Sequence, residues 1–233
     1  MGDWRDFWNG EHSIYANARH KLLHNARNAQ DMAGLIETPQ SQVLDYGCGD
    51  MNAADIVARR CARLYLFDQA KAVQAKLRGR FGTSDSIIVL PSEGLESLPA
   101  ASLDLIIVHS VLQYMSFAEC ESLLARLHGK LKASGRLVIG DLIQPGNSPL
   151  DDARALLRFA LQGGFFIAAC AGLVRTVFSQ YTTLRKEIGL TCYAPEDIAT
   201  LLAANGFTSK PMARNIGMNQ ARFCVEARLK TVA

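Results

Sequence analysis

The chain has 233 residues, enough for one α/β unit with a sizeable core and short for two full domains. Lys and Arg total 25 against 22 Asp and Glu, a formal net charge of +3, which supplies neither a polybasic field for gripping nucleic acid nor an acidic tail. With 49% apolar and 20% charged residues, the composition is that of an ordinary globular protein and excludes a disordered one.

Residues 1–40 read as helical. Ser13 is the expected N-cap, Ile14, Ala18, Leu22, Ala29, Met32, Ala33 and Ile36 recur at roughly helical spacing, and Thr38-Pro39 ends the run. Trp4, Phe7 and Trp8 precede it and are expected to pack down on something. Gln42–Tyr46 then reads as a short strand ending at Gly47-Cys48-Gly49, with a helix over about Met51–Arg60. A second strand, Arg63–Phe67, stops at Asp68; Ala70–Phe81 is helical, Ser86–Leu90 is a third strand, and Leu103–Val108 is an apolar run of the kind buried on both faces of a parallel sheet. Ser116 and Glu119 form a capping box for a helix with Leu123, Leu124, Leu127 and Leu131 on one stripe; Gly135 ends that segment, and Arg136–Gly140 is a fifth strand closing on Asp141. Strands alternating with helices in this way imply βαβ units and a doubly wound parallel sheet.

The helical, apolar stretch Pro145–Cys192 interrupts the alternation. A last helix follows, with Pro195 in its first turn, Ile198, Leu201 and Leu202 buried, and Gly206 at C′. Two strands, about Thr208–Asn215 and Arg222–Leu229, close the chain through an expected hairpin turn at Ile216-Gly217-Met218-Asn219.

The six cysteines (Cys48, Cys61, Cys120, Cys170, Cys192, Cys224) are scattered and none lies in a C-x-x-C pair, so no metal site is expected. With a polar start over Met1–His12, the expected compartment is the reducing cytoplasm. The uncharged stretch Phe159–Val174 contains Gly163-Gly164 and is too short and too glycine-broken for a stable membrane span.

The segment Val43-Leu44-Asp45-Tyr46-Gly47-Cys48-Gly49-Asp50 carries the chemistry. A strand that stops on G-x-G and enters a helix turns backbone N–H groups outward with no Cβ to block a ligand. A dinucleotide fingerprint needs a third small residue where Asn52 stands, and the Asp50 carboxylate would repel a pyrophosphate. A cofactor with a positive end and a ribose fits better, because Asp68 ends the second strand, where a carboxylate accepts both ribose hydroxyls.

Asp45-x-Gly47-x-Gly49, Asp68, Leu103-Asp104-Leu105-Ile106-Ile107-Val108 and Gly135-Arg136-Leu137-Val138 together resemble a class I S-adenosylmethionine-dependent methyltransferase of the small-molecule type. The resemblance covers about Ser41–Gly140 and extends more weakly to Tyr193–Phe207, with its Asn205-Gly206-Phe207 ending. It implies a Rossmann-like, doubly wound, seven-stranded, mostly parallel sheet with an antiparallel last strand. The single domain 1–233 then divides into a helical N-terminal cap (1–40), a cofactor-binding core (41–144), a helical insertion (145–192) and the last helix with two strands (193–233).

Carried over by residue, the resemblance implies that Gly47, Cys48 and Gly49 bound the methionyl pocket of S-adenosylmethionine and that Asp45 holds the turn and the amino group. Asp68, with Gln69 beside it, would bind the ribose, and Ser92, Glu93, Gly94 and Leu95 would flank the adenine. His109, Ser110 and Gln113 would face the methionyl group and the methyl, with Tyr114 on the acceptor side. Trp8, Tyr15, Arg19 and His20 are candidates for closing the pocket, Tyr15 and Arg19 standing one turn apart where they could cover the methionyl carboxylate.

Methyl transfer is a displacement at a carbon activated by a sulfonium leaving group, so positioning and desolvation can supply most of the catalysis. A base is needed only if the acceptor must lose a proton. His109 is either that base or a strand-end histidine that shapes the pocket. His20 and His24 lack the glutamate of a zinc protease motif and read as polar-face or pocket-wall residues. The insertion reads as a lid over a small-molecule acceptor, a homodimer element or a shallow membrane contact, and Arg154, Arg158, Arg175 and Arg185 around it could meet an acidic group. The expected function is methyl transfer to a small molecule, with no nucleic-acid partner; the alternative is a non-catalytic protein that binds the same cofactor for regulation or assembly.

Overall fold

In the computed structural model, residues 15–177 and 189–230 are described. Their seven strands form one sheet in the order β3-β2-β1-β4-β5-β7-β6. β1 (Gln42–Tyr46), β2 (Arg63–Phe67), β3 (Ile87–Val89), β4 (Leu103–His109) and β5 (Leu131–Leu142) are parallel, whereas β7 (Phe223–Leu229) runs antiparallel to both β5 and β6 (Phe207–Pro211). β1 pairs with β2 on one side and β4 on the other, so the strand order reverses between β1 and β4. Ligands of such sheets bind outside the carboxyl ends at that reversal.

Both faces of the sheet are covered, which is why β1 and β4 are near-continuous apolar runs. On one face, Leu44, Ile106, Val108 and Leu137 pack under α4 (Phe117–His128) and α7 (Pro195–Ala204) through Leu124, Leu127, Ile198 and Leu202. On the other, Val43, Leu64, Leu66 and Ile107 pack under α1 (Ala18–Gly34), α2 (Ala54–Ala58) and α3 (Lys71–Phe81) through Ala29, Met32, Val57 and Leu77. The insertion holds α5 (Pro149–Gly163) and α6 (Phe166–Val177), broken at Gly164 with φ +68°.

Local signals account for several helix starts. Ser116 and Glu119 close the expected capping box of α4, and Pro195 opens α7. α1 is capped by Asn17, whose side chain accepts from the His20 N–H at 2.8 Å; Ser13, Trp4, Phe7 and Trp8 lie outside the described residues. Two expectations are corrected. α4 stops at His128, and β5 begins at Leu131 rather than Arg136, because Leu131 pairs with Leu103 and is buried in the core. The connection between β6 and β7 is a long loop rather than a tight hairpin. Its amide side chains brace it: Asn215 donates to Asn219 O, and Gln220 donates to Asn215 O and Gly217 O.

Candidate active site

The turn after β1 is held from β2. Phe67 O accepts from the N–H groups of Gly47 (2.7 Å) and Cys48 (3.1 Å), and Asp68 Oδ2 accepts from Gly49 N–H at 3.0 Å. Gly47 has φ +78°, and a Cβ there would collide with Val111 Cγ2. Gly49 has φ +57° and nothing within 4 Å of where a Cβ would stand. Side chains are thus excluded at one glycine by packing and at the other only by conformation, which leaves an open cradle beside the second.

Asp45 is 2% exposed, and its Oδ2 is cut off from solvent with no hydrogen-bond partner. Burial, reinforced by the charge of Asp68, pushes its carboxyl up to about 7. Burial also raises Asp68, against the N–H bonds it accepts from Ala70 and Gly49, and lifts the Cys48 thiol well above its ordinary range. An orphaned carboxylate oxygen beside an open turn fits an ammonium group. Asp68 accepts one backbone N–H on each oxygen, Gly49 at 3.0 Å and Ala70 at 2.8 Å, so lone pairs remain for a vicinal diol. The residues present therefore fit S-adenosylmethionine.

The other expected cofactor residues are placed as follows. Gln69 donates to Tyr46 OH at 3.2 Å. Glu93 is exposed at the start of the short helical turn Gly94–Ser97; a Cβ on Gly94 would lie 2.7 Å from the Phe67 ring. Leu95 is 0% exposed with its side chain in the core, so only its backbone can line an adenine site. Tyr15 lies near the turn: Lys21, which pairs with Asp50, sits 5.8 Å from the Tyr15 ring, and burial with the Asp50 charge pushes the phenol up to about 12. Arg19 Nε donates to Gly163 O at 2.5 Å, at the end of α5.

At the ends of β4 and β5, Ser110 (φ +59°) and Asp141 (φ +65°) are both left-handed without being glycine. Such residues cost on the order of 1–3 kcal/mol each and persist only where their surroundings hold them. Ser110 Oγ donates to Asp141 Oδ2 at 2.5 Å, and Arg222 Nη1 donates to Asp141 Oδ2 (2.8 Å) and Gln113 Oε1 (3.1 Å). Arg222 Nη2 reaches both Asp152 oxygens at 3.1 Å, joining α5 to the sheet. Tyr114 is half-buried on the turn Leu112–Tyr114.

His109 is enclosed. Its Nε2 lies 3.4 Å from Asn28 Nδ2, and its Nδ1, with no partner, faces Gly140, where a Cβ would stand 2.9 Å away. Burial holds its pKa low, with Arg222 acting in the same direction and Asp141 and Asp31 opposing. His20 and His24 stand together, with ring centres 6.0 Å apart and each 5.4 Å from Tyr15.

Lys21 and Asn28 are not among the expected site residues, and Arg222 stands at the end of the amide-rich segment 215–222. The spacing of His20, His24 and Asn28, one turn apart on α1, was an available signal. Sequence reasoning also missed Arg80, which donates to Asp50 O (2.6 Å) and Asn52 Oδ1 (2.9 Å) and so clamps the turn around Met51 (φ +37°). Among the described residues, no group of three or more His, Cys, Asp or Glu could hold a metal ion, and no helix is long and apolar enough to cross a membrane.

Residues 44–139 match the family model described as a methyltransferase domain. None of the curated proteins matches the chain by sequence. Among solved structures, a mitomycin 7-O-methyltransferase, MmcR, superposes with TM-score 0.59 at 18% identity, over 89% of this chain and 54% of that one. The magnesium protoporphyrin IX methyltransferase of Synechocystis PCC 6803 with bound S-adenosylhomocysteine gives 0.57 at 18% identity, over 97% and 93%. The DhpI–S-adenosylhomocysteine complex gives 0.61 at 11% identity, over 97% and 95%. The chain thus spans about half the length of MmcR and nearly all of the other two. At these identities the likeness is one of fold.

Proposed function

We propose that this chain, a class I S-adenosylmethionine-dependent methyltransferase by its domain match and its fold, methylates a small-molecule acceptor. The observation that carries the reading is the unpartnered Asp45 oxygen beside the open Gly49 turn, with Asp68 bracing that turn from β2. Bound S-adenosylmethionine supplies a methyl group activated by a sulfonium. Asp68 would accept the ribose hydroxyls, Asp45 the amino group, and the backbone of 93–95 would flank the adenine. The Gly47–Gly49 backbone would border the amino-acid end. His109, Ser110 and Gln113 shape the floor at the end of β4, held by Asn28, Asp141 and Arg222.

The chain's own contribution is positioning and exclusion of water, which suits a reaction whose leaving group is already activated. α5, joined to Arg222 through Asp152, and α6, packed on α5, are read as the acceptor lid, although a homodimer contact through their exposed Leu161, Ile167 and Val174 is the other use of that surface. The near-neutral charge supports a partner other than nucleic acid, and six unpaired cysteines support a cytoplasmic site. The test is calorimetry with S-adenosylhomocysteine, followed by transfer of labelled methyl from S-adenosylmethionine to a small-molecule extract. Binding and label in the small-molecule fraction are expected; no binding to folded protein would end the reading.

A further inference from the structure

Helix α1 is tied to the carboxyl edge of the sheet at two places. Lys21 pairs with Asp50 just past the glycine turn, and Asn28 lies 3.4 Å from His109 Nε2 at the end of β4. His24 lies between these ties on the same helix. Since β1 and β4 are the neighbours at which strand order reverses, His24 stands over the crevice between their ends.

The walls around it are aromatic. Tyr15 contacts both imidazoles, His20 stacks on Phe165 at 4.9 Å, and Phe159 lies 5.7 Å from Phe165. Two nitrogens here are cut off from solvent with no partner, His20 Nε2 and His24 Nδ1, and His20 as a whole is only 4% exposed. His20 Nδ1 accepts the Ala16 N–H at 3.1 Å, so the neutral ring carries its proton on Nε2, and that orphan is a donor. Of the nearby charges, Asp141 is held by Arg222 and Ser110 and Lys21 by Asp50, while Arg19 and Arg175 are turned to the backbone carbonyls of Gly163 and Ala16. The cluster therefore offers aromatic walls, one N–H donor and a second unpartnered imidazole nitrogen, a set that matches a neutral hydroxyl, which both donates and accepts.

We propose that this cluster borders the acceptor site, which takes a neutral aromatic hydroxyl compound, with His20 Nε2–H donating to the acceptor oxygen and His24 Nδ1, in the tautomer that leaves it unprotonated, accepting its O–H. The chemical step after binding rests on the proposed methyltransferase function. The acceptor oxygen bonds to the methyl carbon as the carbon–sulfur bond breaks, the sulfonium charge is lost as a neutral thioether leaves, and the O–H proton passes to His24. That proton becomes strongly acidic as the new bond forms, so a weak neutral base suffices. Burial, then His109 and His20, hold His24 down to about 4 against the pull of Asp141, and burial also lowers His20, so both rings are neutral at ordinary pH. Tyr15, the other titratable wall among the described residues, stays protonated.

The test is a side-chain nitrogen–proton correlation spectrum of the full chain, labelled at histidine and saturated with S-adenosylhomocysteine, titrated separately with phenol, benzoate and toluene. Phenol should move the ring signals of His20 and His24, assigned through His20→Gln and His24→Gln, while equal benzoate or toluene leaves them in place. His24→Gln should weaken phenol at least about ten-fold, the scale of one hydrogen bond lost in a dry site, with S-adenosylhomocysteine affinity unchanged. If phenol moves neither signal, or benzoate moves them more, the acceptor assignment is overturned and the methyltransferase reading stands. If S-adenosylhomocysteine fails to bind the wild-type chain, it is that reading that falls.

Discussion

The carboxylate of Asp68, at the end of β2, accepts the backbone N–H of Gly49 at 3.0 Å, so the group read as the ribose ligand also holds the turn after β1. Asp68→Ala removes this bond and the one to Ala70 together. Charge-assisted bonds of this kind contribute about 1.5–3 kcal/mol each. S-adenosylhomocysteine affinity should fall by at least roughly ten-fold in calorimetry, and unchanged affinity would remove Asp68 from the site.

The two glycines of the turn should separate stability from binding. Gly47→Ala drives a methyl into Val111 and should lower stability by about 1–3 kcal/mol in urea denaturation. Gly49→Ala meets no atom, so its stability cost is the left-handed backbone alone, about 1 kcal/mol. Its larger effect should be on cofactor affinity, because the methyl projects into the open cradle. Equal effects on both properties would contradict this division.

Asp45 gives a pH dependence with a definite sign. Its folded pKa, about 7, lies above the ordinary carboxylate value of 3.8, so the folded chain binds the extra proton between these limits. Its contribution to stability therefore declines as pH rises through that window and levels off above it. Pairing with an ammonium requires the deprotonated form, so S-adenosylhomocysteine affinity should rise from pH 6 to about 7.5, with proton release on binding. Calorimetry in buffers of different ionisation enthalpy reads this directly, and Asp45→Asn should abolish it.

Arg222 is 11% exposed and bridges Asp141 and Asp152, which are 14% and 28% exposed. Arg222→Met leaves the Asp141 charge largely buried with only hydroxyl and amide partners, and breaking such a pair costs about 3–5 kcal/mol. Chemical denaturation should show a loss on that scale, with Arg222→Lys in between. A change below about 1 kcal/mol would mean that water replaces the bridge.

Phe165 and Phe166 are neighbours with opposite environments, 4% and 40% exposed. Phe165→Ala removes the ring stacked on His20 and should reduce methyl transfer in the extract assay. Phe166→Ala should leave it close to wild type in a folded monomer. Loss of activity only with Phe166→Ala would favour the dimer use of the insertion.

Much of the frame was legible before the fold. The alternation of apolar runs with helical stripes, the Ser116–Glu119 box, Pro195 and the glycine turn act over a few residues, where backbone sterics and capping decide the outcome locally. The start of β5 was misplaced because its pairing with Leu103, a distant strand, outweighs the local glycine signal at Gly135.

The amino-acid sequence by itself determined the strand–turn–helix order and which residues stand at the carboxyl edge. Tertiary structure alone decided which way they face: Arg19 toward the end of α5, His109 between Asn28 and Gly140, and Arg222 across to Asp141 and Asp152. The reason is physical. Periodicity specifies a face of a helix or strand, but the partner of a buried charge or imidazole depends on which distant element arrives beside it, and no local propensity encodes that arrival.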